Sequence, residues 1–132
     1  MGKGLIGIVG GMGPEAGIAL SANIISQTIA NNDQEHLPQI LYSIPEYIPD
    51  RTEFLIGKIK TNPGYEISGL LKKMEYFGVE YAALACNSAH APQIFEVILS
   101  ELSKNGSGLR LFHMVGEVGK FIRDHYGHLK KI

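Results

Sequence analysis

The sequence predicts an α/β fold, a doubly wound, mostly parallel four-stranded sheet with helices on both faces. Three observations carry that expectation. Four short apolar runs are spread along the 132 residues, stretches of helical periodicity separate them, and glycine, proline and asparagine stand where the pattern changes. A chain of this length makes one domain, residues 1–132, with enough residues for a core of its own.

Leu5-Ile6-Gly7-Ile8-Val9 is an apolar run closed by Gly10-Gly11, as expected of a buried parallel strand. Pro14 suits the first turn of a helix, where its missing N–H costs nothing. That helix is expected to reach about Asn31-Asn32 and to pack through Ile18, Ser21, Ala22, Ile25 and Ile29. Gln39 to Ile44 reads as the second strand, ended by Pro45, and a loop containing Asp50-Arg51-Thr52 follows. Asn62-Pro63 caps and opens a helix that continues through Leu70, Leu71, Met74 and Phe77 and stops at Gly78. Tyr81 to Ala85 is the third strand. Residues 91–104 are helical by pattern, with Ile94, Phe95, Ile98 and Leu102 on one face. Gly106-Ser107-Gly108 turns the chain into a fourth strand, Leu109 to Met114, and a last helix takes up Val118, Phe121, Ile122 and Tyr126. Residues 127–132 read as a turn and the opening of another strand, so a further element is expected where the sequence stops.

Composition narrows the function. Twelve basic residues nearly cancel thirteen acidic ones, and no block of like charge offers itself to nucleic acid or an anionic membrane. A small polar ligand is the better default. A single cysteine cannot form an internal disulfide and suits the reducing cytoplasm. The first residues lack the long apolar stretch of a signal peptide, and no segment approaches the roughly 20 apolar residues of a membrane span. The histidines show no metal spacing: His125 and His128 share a helix face without a third ligand.

Three stretches can carry chemistry. Gly11-Met12-Gly13-Pro14-Glu15-Ala16 fits G-x-G-x-x-A between a strand and a helix, the context of a dinucleotide fingerprint. Its physical content is broader, because close backbone approach and a helix start favour any anion, a carboxylate included. The dinucleotide reading also wants an acidic residue ending the second strand, where Tyr42-Ser43-Ile44 stands instead. A tight turn without a ligand is the remaining reading. Arg51 in the second stretch can offer a planar fork to a carboxylate, or lie in solvent paired to Asp50 or Glu53.

The third stretch is Cys86-Asn87-Ser88-Ala89-His90, where an apolar strand delivers the only thiol into small and polar residues. A free cysteine is often just a small buried hydrophobe. Here it leads into a helix start, whose partial positive charge favours an anion, and Asn87 and Ser88 add hydrogen-bond donors. His90, four residues on, is open to three readings: a base for Cys86, a helix cap or a packed ring. A thiol hydrolase built on Cys86 and His90 lacks an acidic orienter and an elbow motif. His113, ending the fourth strand, points to the same edge.

These stretches together resemble the aspartate/glutamate racemase family, enzymes that use no pyridoxal phosphate and carry one catalytic cysteine in each of two similar domains. Residues 7–16 look like the family's opening motif, and Asp33-Gln34-Glu35-His36-Leu37-Pro38 is similar to its segment before the second strand. Residues 43–52 resemble the loop with the substrate-binding arginine. Cys86-Asn87-Ser88-Ala89-His90 resembles the first cysteine motif, with serine where threonine is common, and Leu111-Phe112-His113-Met114 resembles the strand that follows.

The resemblance implies proton transfer by thiol and thiolate on opposite faces of an acidic amino acid, with no cofactor and no metal. It casts Cys86 as one of the catalytic pair. Asn87 and Ser88, with the Gly11-Met12 backbone close by, would hold the α-carboxylate, and Arg51 would take the side-chain carboxylate. The second cysteine motif and its domain are not in this sequence, so the chain corresponds to the N-terminal half of a two-domain racemase-like fold. Such a half-site is expected to racemise feebly or not at all, and its open cleft face favours a homodimer. The alternative is a non-catalytic α/β domain that binds a carboxylate or a nucleotide.

Overall fold

The computed structural model describes residues 2–130. The order of elements is β1 (Leu5–Gly10), α1 (Pro14–Gln27), β2 (Gln39–Ser43), α2 (Arg51–Leu55), α3 (Pro63–Tyr76), β3 (Val79–Leu84), α4 (Pro92–Lys104), β4 (Arg110–Phe112) and α5 (Met114–Tyr126). Single 3-10 turns lie at Asp33–Glu35, Pro45–Tyr47 and Ser88–His90. The strands form one sheet in the order β2-β1-β3-β4, and every pair is parallel. This is the expected doubly wound α/β fold. Its strand order reverses direction between β1 and β3, which makes that gap the topological switch point.

Alternation along the strands sorts side chains to two faces. Val9, Ala82 and Leu84 face α3 and α4, whose Ile67, Leu71, Met74, Ile94 and Ile98 are buried beside them. The two helices start together. Asn62 caps α3 by accepting from the Gly64 N–H at 2.9 Å and donates to the Gln93 carbonyl at 2.9 Å. A Cβ on Gly64 would lie 2.8 Å from the Ile94 carbonyl oxygen, so glycine lets α3 approach α4 closely. Phe77, expected in the apolar face of α3, is instead its C-terminal cap residue and is exposed.

The opposite face carries α1 and α5 and is packed differently. Helix α1 ends at Gln27, short of Asn31-Asn32, and Ile18, Ile25 and Ile29 point outward, with Ile29 97% exposed. Its inward face centres on Gly17, because a Cβ there would meet Gly10 Cα at 3.1 Å and Leu41 Cδ1 at 2.8 Å. A glycine-on-glycine approach, and not the row of isoleucines, decides which side of α1 meets the sheet. Between α1 and α5 an apolar groove of about 670 Å³ runs over Ile6, Tyr81, Ala83 and Phe112. Helix α5 has no buried residue; Val118 and Phe121 on its apolar side are both 52% exposed. The expected strand opening after Gly127 falls partly on residues 131–132, outside the described residues, and residues 127–130 contain no strand. No helix among the described residues is long and apolar enough to cross a membrane.

Candidate functional site at the carboxyl edge

Parallel pairing sends the carboxyl ends of β1, β2 and β3 to one edge, with Val9 opposite both Tyr42 and Leu84. Gly11-Met12 leaves β1 and Cys86 leaves β3 on either side of the switch point, and the Ala85 N–H still donates to the Val9 carbonyl at 3.0 Å. Gly11 holds a left-handed φ of +82° and backs onto Ile44 and Pro45, where a Cβ would meet main-chain nitrogens at 3.1 Å. A residue with a side chain fails there on both counts. Met12 is buried in the same cluster as Cys86, so its main chain alone is left to face the edge. Beside it, Gly13 and the first residues of α1 line an open depression of about 440 Å³.

Arg51 stands at the start of α2, not in an open loop. Asp50 is the N-cap, accepting from the Glu53 N–H at 2.8 Å, and that bond holds its carboxyl below the ordinary carboxylate range. Helix α2 packs on the Ser88–His90 turn, at the end of the cysteine motif. Neither solvated pairing expected as an alternative forms. Glu53 is bound by Lys58 at 2.6 Å, and no ion pair among the described residues includes Arg51. The guanidinium donates to the Pro49 carbonyl at 3.2 Å, while its Nε is buried without a partner.

Cys86 is 7% exposed, and its Sγ lies 3.4 Å from Ser88 Oγ. Asn87 is exposed and Ser88 half-buried, so two polar side chains border the thiol on the solvent side. His90 does not bond to the sulfur. Its Nδ1 lies 2.7 Å from the carbonyl oxygen of Cys86, and the arrangement of a thiol with its own imidazole base is therefore not formed. Burial holds the ring below its ordinary pKa of 6.5. His113 caps α5, its Nδ1 accepting from the Gly116 N–H at 3.0 Å, and its ring meets those of His90 and Phe95 edge to face. No group of metal-ligating side chains forms among the described residues, and His125 and His128 are exposed.

Gly11 and Met12 after β1 and Cys86, Asn87 and Ser88 after β3 therefore meet at this edge, and Arg51 opens the helix that packs on the Ser88–His90 turn, so the candidate residues come from three segments of the chain. The bond from the His90 ring to Cys86 is the feature sequence reading missed. Its only signal was the spacing of four residues, which serves a thiol contact equally well.

The chain is similar to proteins already known. Residues 9–100 match the Asp/Glu/Hydantoin racemase family. Among solved structures, the aspartate racemase of Picrophilus torridus is 31% identical and superposes with a TM-score of 0.71. That match covers 85% of this chain and 44% of the other. An aspartate racemase homologue from Pyrococcus horikoshii, 21% identical, has the same fold with a TM-score of 0.69, over 96% of this chain and 50% of its own. The chain thus spans about half the length of the solved relatives it matches. With the match to the family covering most of its length, the chain belongs to the Asp/Glu/Hydantoin racemase family.

Proposed function

We propose that this chain carries one half-site for cofactor-independent racemisation of an acidic amino acid, with Cys86 as the proton-transfer group. The observation that carries the reading is the position of Cys86: it follows β3 at the switch point, across from Gly11-Met12, and the helix packed on the next turn opens with an arginine that no carboxylate among the described residues pairs. In the reaction, a thiolate takes the α-proton and becomes S–H, and the electron pair moves into the α-carboxylate. A thiol on the opposite face then returns a proton to the carbon. Asn87, Ser88 and the Gly11-Met12 main chain hold the α-carboxylate and stabilise the charge arriving there, and Arg51 takes the side-chain carboxylate.

Only one wall of this site lies in residues 1–132, which we treat as a single domain. The opposing thiol comes from a second domain or from a second copy of the chain in a homodimer meeting at the carboxyl edge. The lone thiol suits the reducing cytoplasm.

A ligand-dependent melting experiment separates this reading from a binding domain of another kind. Aspartate or glutamate raises the melting temperature by binding the folded state, Arg51→Ala removes the effect, and mononucleotides give none. Stabilisation by a nucleotide and not by either amino acid overturns the proposal.

A further inference from the structure

We propose that His90 is a positioning residue for Cys86, acting as a neutral imidazole whose Nδ1–H holds the main-chain carbonyl of the cysteine. The role in proton transfer rests on the function proposed above; the geometry does not. An imidazole nitrogen 2.7 Å from a carbonyl oxygen must carry the proton, since the oxygen can only accept. That assigns Nδ1 as the protonated nitrogen and leaves Nε2, which is buried without a partner, bare. His113 has the opposite tautomer, because its Nδ1 accepts from the Gly116 N–H.

The ring is fixed from several sides. His90 is 5% exposed, stacks on Phe95 with centroids 5.4 Å apart and an interplanar angle of 21°, and meets His113 at 4.9 Å. The main-chain N–H of His90 donates to the Asn87 carbonyl at 3.0 Å, so the main chain closes the turn on which the ring sits. The Cys86 carbonyl therefore has a donor that cannot swing away. Because the peptide unit is planar, pinning this carbonyl fixes ψ of Cys86, and with it the direction in which Cα sends the thiol. A strand end otherwise has no ladder partner to set that angle. The side chain that looks like a base in the sequence serves by holding the main chain.

Nitrogen-15 NMR of the histidine-labelled chain reads the tautomer directly. The expected signature for His90 is a protonated Nδ1 and an unprotonated Nε2 at pH 7.5; a protonated Nε2 overturns the proposal. Alkylation of Cys86 by iodoacetamide reads the consequence. His90→Phe keeps the stacked ring and loses the donor, so the buried thiol is released and reacts about tenfold faster, as expected for a lost buried hydrogen bond. His90→Asn, whose amide N–H lies where Nδ1 does, restores the rate to within about twofold, and His90→Gln, with its N–H at the Nε2 position, does not. A folded His90→Phe variant alkylated at the parent rate refutes the positioning role. If that variant does not fold, the tautomer and the Asn–Gln pair still decide. Absence of α-proton exchange in the parent protein counts against the racemase reading alone, since neither measurement here involves a substrate.

Discussion

The two faces of the sheet are built to different standards. On the α3/α4 face, Ile67, Leu71, Ile94 and Ile98 are fully buried, and the capping residue Asn62 ties one helix to the next. On the α1/α5 face, the approach of Gly17 to Gly10 and a hydrogen bond from Ser21 to Gln39 seat α1, and the apolar side of α5 lies open above Ile6, Tyr81 and Phe112. Cys86, Ala89 and His90 belong to the finished side: Ala89 and the thiol share the α3/α4 core, and His90 rests on Phe95 of α4. The site's geometry thus rests on the half of the molecule that is closed in this chain. The open half lies beside the chemistry without shaping it.

Truncation tests the contrast most strongly. Leu71→Ala or Ile98→Ala on the closed face should each cost about 2–5 kcal/mol in urea denaturation, through lost burial and a residual cavity. Gly17→Val probes the close glycine contact that seats α1 on the open face. Leu41 Cδ1 can move aside but the Gly10 backbone cannot, so a cost of roughly 1–3 kcal/mol is expected.

Acidification gives a smaller effect, and its sign follows from His90. The folded state holds this ring neutral below its ordinary pKa of 6.5, so the unfolded chain binds the proton more readily. Stability should therefore fall as pH drops through 6.5 toward the folded-state pKa, and His90→Asn should flatten that part of the melting profile. The titratable group facing the ring is His113, where a charge disfavours a second one on His90; Cys86 presents its main-chain carbonyl. The carboxyls of Asp50 and Glu35, held low chiefly by the Glu53 and Asn31 N–H groups, lose their contribution in a separate and more acid range. Smallest of all, Ile18→Ser and Val118→Ser on the open face should change stability by no more than about 0.5 kcal/mol.

The same contrast explains what could be read from the sequence. The closed face follows simple rules: Asn62-Pro63 caps its helix, and Ile94, Phe95, Ile98 and Leu102 are buried as their spacing predicts. The face of α1 was not legible, because isoleucine periodicity points one way and the close approach of Gly17 to Gly10 points the other. Backbone proximity leaves no hydrophobic signature. Helix α2, five residues long, is too short to show a period and is announced only by its Asp50 cap. The candidate site residues were legible as types at strand ends, but their grouping at a switch point depends on the order β2-β1-β3-β4, which no local pattern contains. The partner of His90 was hidden for a similar reason. A spacing of four residues does not distinguish a carbonyl from a thiol, and only the ring's orientation does.

The most direct test of Cys86 as the proton-transfer group is deuterium incorporation at the α-carbon of L- and D-aspartate and of L- and D-glutamate in heavy water. A single wall with one thiolate reaches the α-proton from one side. Where no second copy supplies the opposing thiol, exchange is therefore expected for one enantiomer well above the other, with little interconversion, and in either case Cys86→Ala should abolish it while the protein stays folded. Exchange that persists in Cys86→Ala, or a folded parent chain that gives none with either amino acid, contradicts the account.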